Sequence, residues 1–376
     1  MLNNRRNEGA RWSRCARRGT VTLLIMLTMA VAAQAPPQTK PAGAPCDRAC
    51  MTGIVDQLLK SMVAHDPDTL PLAKLYRATE NSHPVSLRFA VLWRTVTEAH
   101  HPDLLAIDVP AGQAYLMTQI SESGSHSVMW GRIKVVDRKI TELEFFIDRS
   151  RGDDGFEFSA EELVNDFKAI MAPPAGRKKA TREELLKIGK AIFGPNDVTL
   201  EASPNCHLDE VGAKVVDPGL DDVTNMVNPG FATADGKAAS SAAITMSKDL
   251  NTPMGCAWFP ISPKDPKARI LVIDEELGIV AASGIVAGKV YPYPLNGKMV
   301  SAFIPDAMKS AQDAQEQWMQ RKLKADKEIL VSPASAVGDS IQVMQIYDGK
   351  IQAEQINVHL SGPGMQSVWE QWEDQK

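Results

Sequence analysis

From residue 46 to residue 81 the chain reads CDRACMTGIVDQLLKSMVAHDPDTLPLAKLYRATEN, and the spacing of its apolar positions changes part-way. Ile54, Leu58, Leu59, Met62 and Val63 recur at helical spacing, with Asp56, Gln57 and Lys60 on the other face. His65-Asp66-Pro67 ends the run, because proline lacks an amide hydrogen and pushes the preceding residue out of helical conformation. The pattern predicts a helix, a bend at Asp66 and entry into a sheet over 70–81. A mixed apolar run around Trp93 follows, and then strands are expected over 113–120, 127–136 and 140–147. The last two form a hairpin across Asp137-Arg138-Lys139, and the alternation of Ile133, Val135, Ile140, Leu143, Phe145 and Ile147 predicts a sheet with one covered face.

Ser159-Ala160-Glu161-Glu162 has the form of a capping box, and Leu163, Phe167 and Ile170 give the helix it heads one apolar stripe. Pro173-Pro174-Ala175-Gly176 stops that helix, and Arg177-Lys178-Lys179 reads as solvated linker at a domain boundary. The opening pattern then returns: a helix with Leu185, Leu186, Ile188, Ile192 and Phe193, a Gly194-Pro195 stop, and Asn205-Cys206-His207-Leu208-Asp209-Glu210. Strand runs at 270–273 and 279–280 flank a turn at 274–278, and 303–326 is a charged helical insertion carrying Met308, Ala311 and Trp318. The closing hairpins VVDRKITELEFFI from Val135 and IYDGKIQAEQINV from Ile346 share Asp, Lys and Ile in register, which argues for duplication.

The N-terminus changes the address. Arg5, Arg6, Arg11, Arg14, Arg17 and Arg18 precede an apolar run over 21–31 and a small-residue site at Ala33-Gln34-Ala35, the form of a cleaved secretory signal. The run is shorter than a spanning helix needs, so no stable membrane anchor is expected after cleavage, and the protein is expected to be secreted or periplasmic. Without residues 1–35 the chain keeps 35 basic and 45 acidic residues, a balance that argues against nucleic acid as a partner. Cys46, Cys50, Cys206 and Cys256 also remain, an even number suited to disulfides in an oxidising compartment. Cys206–Cys256 is the expected bridge; Cys46 and Cys50, one helical turn apart, lie near the distance limit for one.

At these residues the chain resembles the nuclear transport factor 2-like superfamily, which includes ketosteroid isomerase, scytalone dehydratase and the SnoaL-type polyketide cyclases. More closely, it resembles an uncharacterised group of secreted bacterial and fungal proteins that carry two such units in tandem. The resemblance rests on Cys46 and Cys50, His65-Asp66-Pro67, Thr79-Glu80-Asn81 and Lys139-Ile140 in the first unit. In the second it rests on the run from Cys206 to Glu210, on Asp274-Glu275 leading into Leu277-Gly278-Ile279-Val280, and on Asp348-Gly349-Lys350-Ile351. Ser82 and Arg138 stand where the group carries glycine, and Val211 where the second unit would carry asparagine. The implied fold class is α+β: two cone-shaped units, each a curved antiparallel sheet packed on helices and enclosing a pocket. The expected layout is signal 1–35, disordered spacer 36–45, first unit 46–150, helix and linker 151–180, second unit 181–362 with an insertion near 299–333, and C-terminal tail 363–376.

In such a pocket, apolar walls move a carboxyl or imidazole toward neutrality and suit it to proton transfer without a cofactor. Asp66 is then the candidate base, His65 its proton partner and Asn81 a donor to a developing oxyanion, while Glu80, Trp93 and Trp130 are candidate pocket residues. The bland reading has Asp66 capping the Pro67 turn, Glu80 and Asn81 making structural hydrogen bonds, and the tryptophans in core. His207, Asp209 and Glu210 are the second-unit candidates. No metal is expected, since HExxH, His-x-His and CxxC pairs are missing, and the G-x-S-x-G, P-loop and G-x-G-x-x-G motifs are missing too. The expected function is binding of a small apolar molecule, with no cofactor; the alternative is a cofactor-independent lyase or isomerase acting on a hydrophobic or aromatic substrate. The oligomeric state is not set by the sequence; the superfamily often pairs sheets face to face, so the resemblance allows a homodimer.

Overall fold

The structure, a computed structural model, describes residues 45–149, 168–171, 175–194, 198, 200–210, 213–216, 265, 267–295, 298–326 and 332–373. All of them belong to one compact unit, Gly43–Lys376. The architecture is α+β, with two mixed, curled sheets and few helices.

Helix α1, Arg48–Val63, starts where the Asp47 side chain accepts the Cys50 amide at 3.0 Å. Its C-terminus closes with two reversed bonds, His65 N to Met62 O and Asp66 N to Ser61 O, with His65 in the left-handed region at φ 54°. That is the Schellman arrangement, and it places a histidine where glycine costs least. Cys46 and Cys50 are joined, with Cα atoms 5.2 Å apart. The bridge is feasible because Cys46 lies outside the helix, before its N-cap, rather than a full turn within it. Cys206 is also disulfide-bonded; its expected partner, Cys256, lies outside the described residues.

Met51, Ile54, Val55, Leu58, Leu59 and Met62 of α1 bury themselves on the concave face of the first sheet. That sheet contains β1 (Leu72–Glu80), β2 (His83–Pro84), β3 (Val96–Ala99), β4 (Leu104–Asp108), β5 (Gln113–Glu122), β6 (Ser125–Val136) and β7 (Lys139–Arg149). Its order is β2-β1-β7-β6-β5-β3, with β4 also on β5, and β1 runs parallel to β7. The mixed run around Trp93 is a 3₁₀ turn, Leu87–Phe89, and a one-turn helix α2, Leu92–Thr95. Only Lys168–Met171, called α3 here, is described of the helix expected after Ser159; the rest lies outside the described residues.

Helix α4, Arg182–Ile192, opens with a capping box between Thr181 and Glu184. It covers a second sheet made of β8 (Glu201–Glu210), β9 (Ala213–Val216), β10 (Arg269–Asp274), β11 (Ile279–Leu295), β12 (Lys298–Pro305), β13 (Ala334–Tyr347) and β14 (Lys350–Ser361). The order is β10-β11-β13-β14-β8-β9, with β8 parallel to β14. Matching β4, β5, β6, β7, β1 and β2 to these in turn gives the same pairing scheme in both sheets. The insertion is the outer part of the β11–β12 hairpin together with helix α5, Lys309–Asp326.

The first sheet does not have one covered face; both of its faces are buried. Tyr115, Met117, Trp130 and Phe146 on the face away from α1 pack with Leu271, Ile279, Ile341 and Val343 of the second sheet. Polar positions on that face are buried as well. Arg132 bonds Glu144, Glu142 and Gln113, and Arg269 from the second sheet grips Glu144 with both terminal nitrogens. The C-terminal segment is not a bare tail. Helix α6, Val368–Glu373, sets Trp369 over the Arg132 and Arg269 guanidinium groups, and its indole donates to Thr79 Oγ1 at 3.0 Å. The basic run is not free linker either: Arg177 Nε and the Lys178 amide both donate to the Asp348 carboxylate.

Gly131 shows how tightly the hairpin is drawn. It sits at φ +153°, and a Cβ there would meet Glu144 O at 2.0 Å. Gly131→Ala is expected to cost more than about 2 kcal/mol, because backbone atoms cannot yield as a side-chain end can. The check is a urea midpoint measured with the denaturant slope unchanged.

Candidate functional site

The first-unit candidates are held by backbone. Asp66 caps the 3₁₀ turn Pro67–Thr69, accepting the Asp68 amide at 3.1 Å, while its own carbonyl accepts Thr69 Oγ1. His65 is exposed and places Nδ1 3.0 Å from the Trp93 carbonyl. Glu80 accepts the Val91 and Leu92 amides, each at 2.9 Å, and so fixes the start of α2. Asn81, left-handed at φ 50°, donates its amide to Phe145 O and accepts Ile147 N on Oδ1, which carries the β1–β7 ladder past the strand end. Trp93 is buried under α1, its indole on Ser61 Oγ. Trp130 lies on the opposite face of the sheet, stacked on Phe146 at 4.2 Å and donating to Asp148. The two tryptophans therefore line no common pocket. Carboxylate and imidazole do not converge around Asp66: each group bonds a neighbouring stretch of chain.

In the second half, His207 and Asp209 project from one side of β8 by the alternation of a strand, and Glu210 is the last residue of that strand. Asp209 is buried and His207 half-buried. Cys206 faces inward among Leu185, Ile188 and Phe193.

A different set meets on the concave face of the second sheet. Met344 of β13 packs there, and its cross-strand partner is Glu354 of β14. Gln342 and Ser340 follow at alternate positions of β13, opposite Ile356 and Val358. All three polar side chains are buried, and the Ser340 hydroxyl has no hydrogen-bond partner. Burial alone pushes the Glu354 carboxyl up to about 8, so it holds its proton at neutral pH. Near them Phe193 lies against Gly284, and Phe303 against Gly288 and Gly338. In the register of the two closing hairpins Glu354 matches Leu143, which is ordinary core. That mismatch, an acid against a leucine, was the one signal in the sequence that could have pointed here.

Between the sheets lies a second buried acid. Asp339 of β13 accepts Ser82 Oγ at 2.6 Å on one oxygen and has no partner for the other. Burial first, and the neighbouring Glu144 second, push its carboxyl up to about 7. Burial would raise Glu144 too, but Arg269 and Arg132 outweigh it and hold that group below the usual range. His359, opposite Asp339 on β14, places Nδ1 3.4 Å from Asp148 Oδ1. A cavity of about 10 Å³, lined by Leu104, Ile170, Ile279, Val343, Gln345 and Gln355 among others, has room for about one water. Among the described residues no group of three metal-ligating side chains occurs, and no helix is long and apolar enough to cross a membrane.

No family model matches the chain, and no curated protein is similar to it in sequence. A designed protein with a curved β-sheet is similar over 27% of this chain and 88% of its own, at 12% identity and a TM-score of 0.24. A protein from Kribbella flavida DSM 17836, provisionally assigned as a ketosteroid isomerase, is similar over 30% of this chain and 87% of its own, at 13% identity and a TM-score of 0.25.

Three carboxyls are raised among the described residues, Asp103, Asp339 and Glu354, and the last two, the most deeply buried, dominate the pH response. Between the unfolded value near 3.8 for Asp339 and its folded value of about 7, the folded chain holds a proton that the unfolded chain has lost. Stability therefore falls as pH rises through that window, and Glu354 extends the fall to about 8. Asp339→Asn together with Glu354→Gln should flatten the slope of melting temperature against pH between about 5 and 8. A slope left unchanged in that double variant would contradict the assignment.

Proposed function

We propose that the chain is an exported protein that binds a small, largely apolar molecule, and that the binding face is the concave side of its second sheet. In this reading the chain is two cone-shaped units of the nuclear transport factor 2-like kind, and the second is the working copy. One observation carries it: a proton-bearing carboxyl, Glu354, shares a buried face with a hydroxyl, Ser340, that has no partner. An unpartnered buried hydroxyl and an isolated buried acid each cost about 1–3 kcal/mol, which a purely structural interior would avoid by using apolar residues. A ligand carrying a carbonyl or hydroxyl among apolar atoms would satisfy both.

A catalytic reading is second, and it rests on the same acid. A carboxyl poised near 8 is suited to give a proton to a substrate oxygen, as a cofactor-independent lyase or isomerase requires. Asp66, His65 and Asn81 are better assigned to the cap, the helix end and the ladder they make. Asp66→Asn is expected to change stability by no more than about 1 kcal/mol and to leave binding intact.

The test separates function from packing. Glu354→Leu should raise stability by about 1–3 kcal/mol, because it removes a polar carboxyl from a buried site. The same variant should lose most of its affinity for Nile red and any small molecule that co-purifies with the wild type, as read by fluorescence titration and native mass spectrometry. A Glu354→Leu protein that melts earlier and binds as before would show the acid to be structural.

A further inference from the structure

The contacts between the two halves of the chain come in reciprocal pairs. Asp274, at the end of β10 in the second half, is fully buried and accepts Arg48 from the first turn of α1 and the Ile107 amide of β4, the latter at 2.7 Å. Asp108, at the end of β4 in the first half, is equally buried and accepts Arg182 from the first turn of α4 and the Ile273 amide of β10, at 2.9 and 3.0 Å. Each aspartate is the last residue of the matching strand, and each arginine is the first residue of the matching helix. Exposed acids add a second partner on each side, Glu276 to Arg48 and Glu275 to Arg182.

The segments that follow the last strand of each sheet cross over in the same way. After β7, α3 reaches the second sheet, where the Gln345 amide group donates to the Ile170 carbonyl at 3.0 Å. After β14, α6 reaches the first sheet, where Trp369 covers Arg132 and bonds Thr79. Residue i of one half contacting residue j of the other, with j contacting i in return, is the mark of an interface related by a two-fold axis.

We propose that the partner for the outer face of each sheet is the other half of the same chain, which makes the protein an internally completed dimer. That face is consumed within the chain, so the whole protein works as one chain and not as a homodimer. Specificity then resides in the two aspartates and the exchanged segments.

The experiment cuts the link. A site-specific protease sequence inserted between Pro174 and Ala175 in the full chain is cleaved after folding, and the product is sized by light scattering on a gel-filtration column. The expected result is one species with the mass of a single chain, before and after cutting and at every concentration. Asp108→Ala and Asp274→Ala, introduced singly, should each let the cut halves part, and to a similar extent because the two positions are equivalent. Free separation of the cut wild-type halves would overturn the proposal. So would an uncut wild-type protein that sizes as a dimer, a measurement that needs no variant to fold. The proposal rests on the two-unit reading but not on the ligand face: a cut chain that stays joined and binds no Nile red fails the site and keeps the interface.

Discussion

Two buried carboxylates, Asp108 and Asp274, govern the architecture: each accepts amides from its own half but takes its guanidinium partner from the other. Taking an ionised carboxylate out of water costs several kcal/mol, and only a close cation with well-aimed amides offsets it. Here both the cation and a main-chain amide come from the other half. The strand ends β4 and β10 are thereby pinned side by side, and the apolar layer of Tyr115, Trp130, Phe146, Ile279 and Ile341 closes behind them. Hydrophobic burial supplies the larger free energy in that layer, but it is indifferent to register. The aspartates supply the register.

The same constraint explains which parts of the fold were legible in the sequence. The opening helix, the hairpin of β6 and β7 and the closing hairpin of β13 and β14 could be read because local spacing and turn residues specify them. Arg132 and Glu144 could not. Alternation puts them on the face opposite Leu143 and Phe145, and a charged residue there looks the same whether it meets water or a guanidinium from a strand more than a hundred residues away. For the same reason the sheet reads as one-sided. Trp369 lay in a stretch too short to show a period, so its helix and its place over Arg132 were hidden.

The polar clusters that the sequence offers as a site have structural partners for a related reason. His65-Asp66-Pro67 and Glu80-Asn81 look like chemistry because polar residues cluster there, yet these are the points where the backbone changes direction. A helix end needs a left-handed residue and a cap; a strand that stops beside a neighbour needs a side chain to take over its hydrogen bonds. His65, Asp66, Glu80 and Asn81 meet those needs one by one. A motif at a chain reversal thus has a conformational explanation available before a functional one. A buried acid in mid-strand has none.

That distinction gives the asymmetry of the two halves its meaning. In two sheets of the same pairing scheme whose facing sides pack against each other, the sides under α1 and α4 are the ones free to differ. The first interior is closed by methionine, leucine and isoleucine from α1, with Leu143 sealing the sheet beneath them. The second keeps its helix and aliphatic base but carries Glu354 where Leu143 stands, with Ser340 and Gln342 on the neighbouring strand. Replacing a core leucine with an unpaired acid is among the costlier single changes a core can accept. The fold can carry that cost there, because neither the core under α1 nor the layer between the sheets includes Glu354. The cost of the second concave side is thus concentrated at Glu354, where burial disfavours the charged carboxyl.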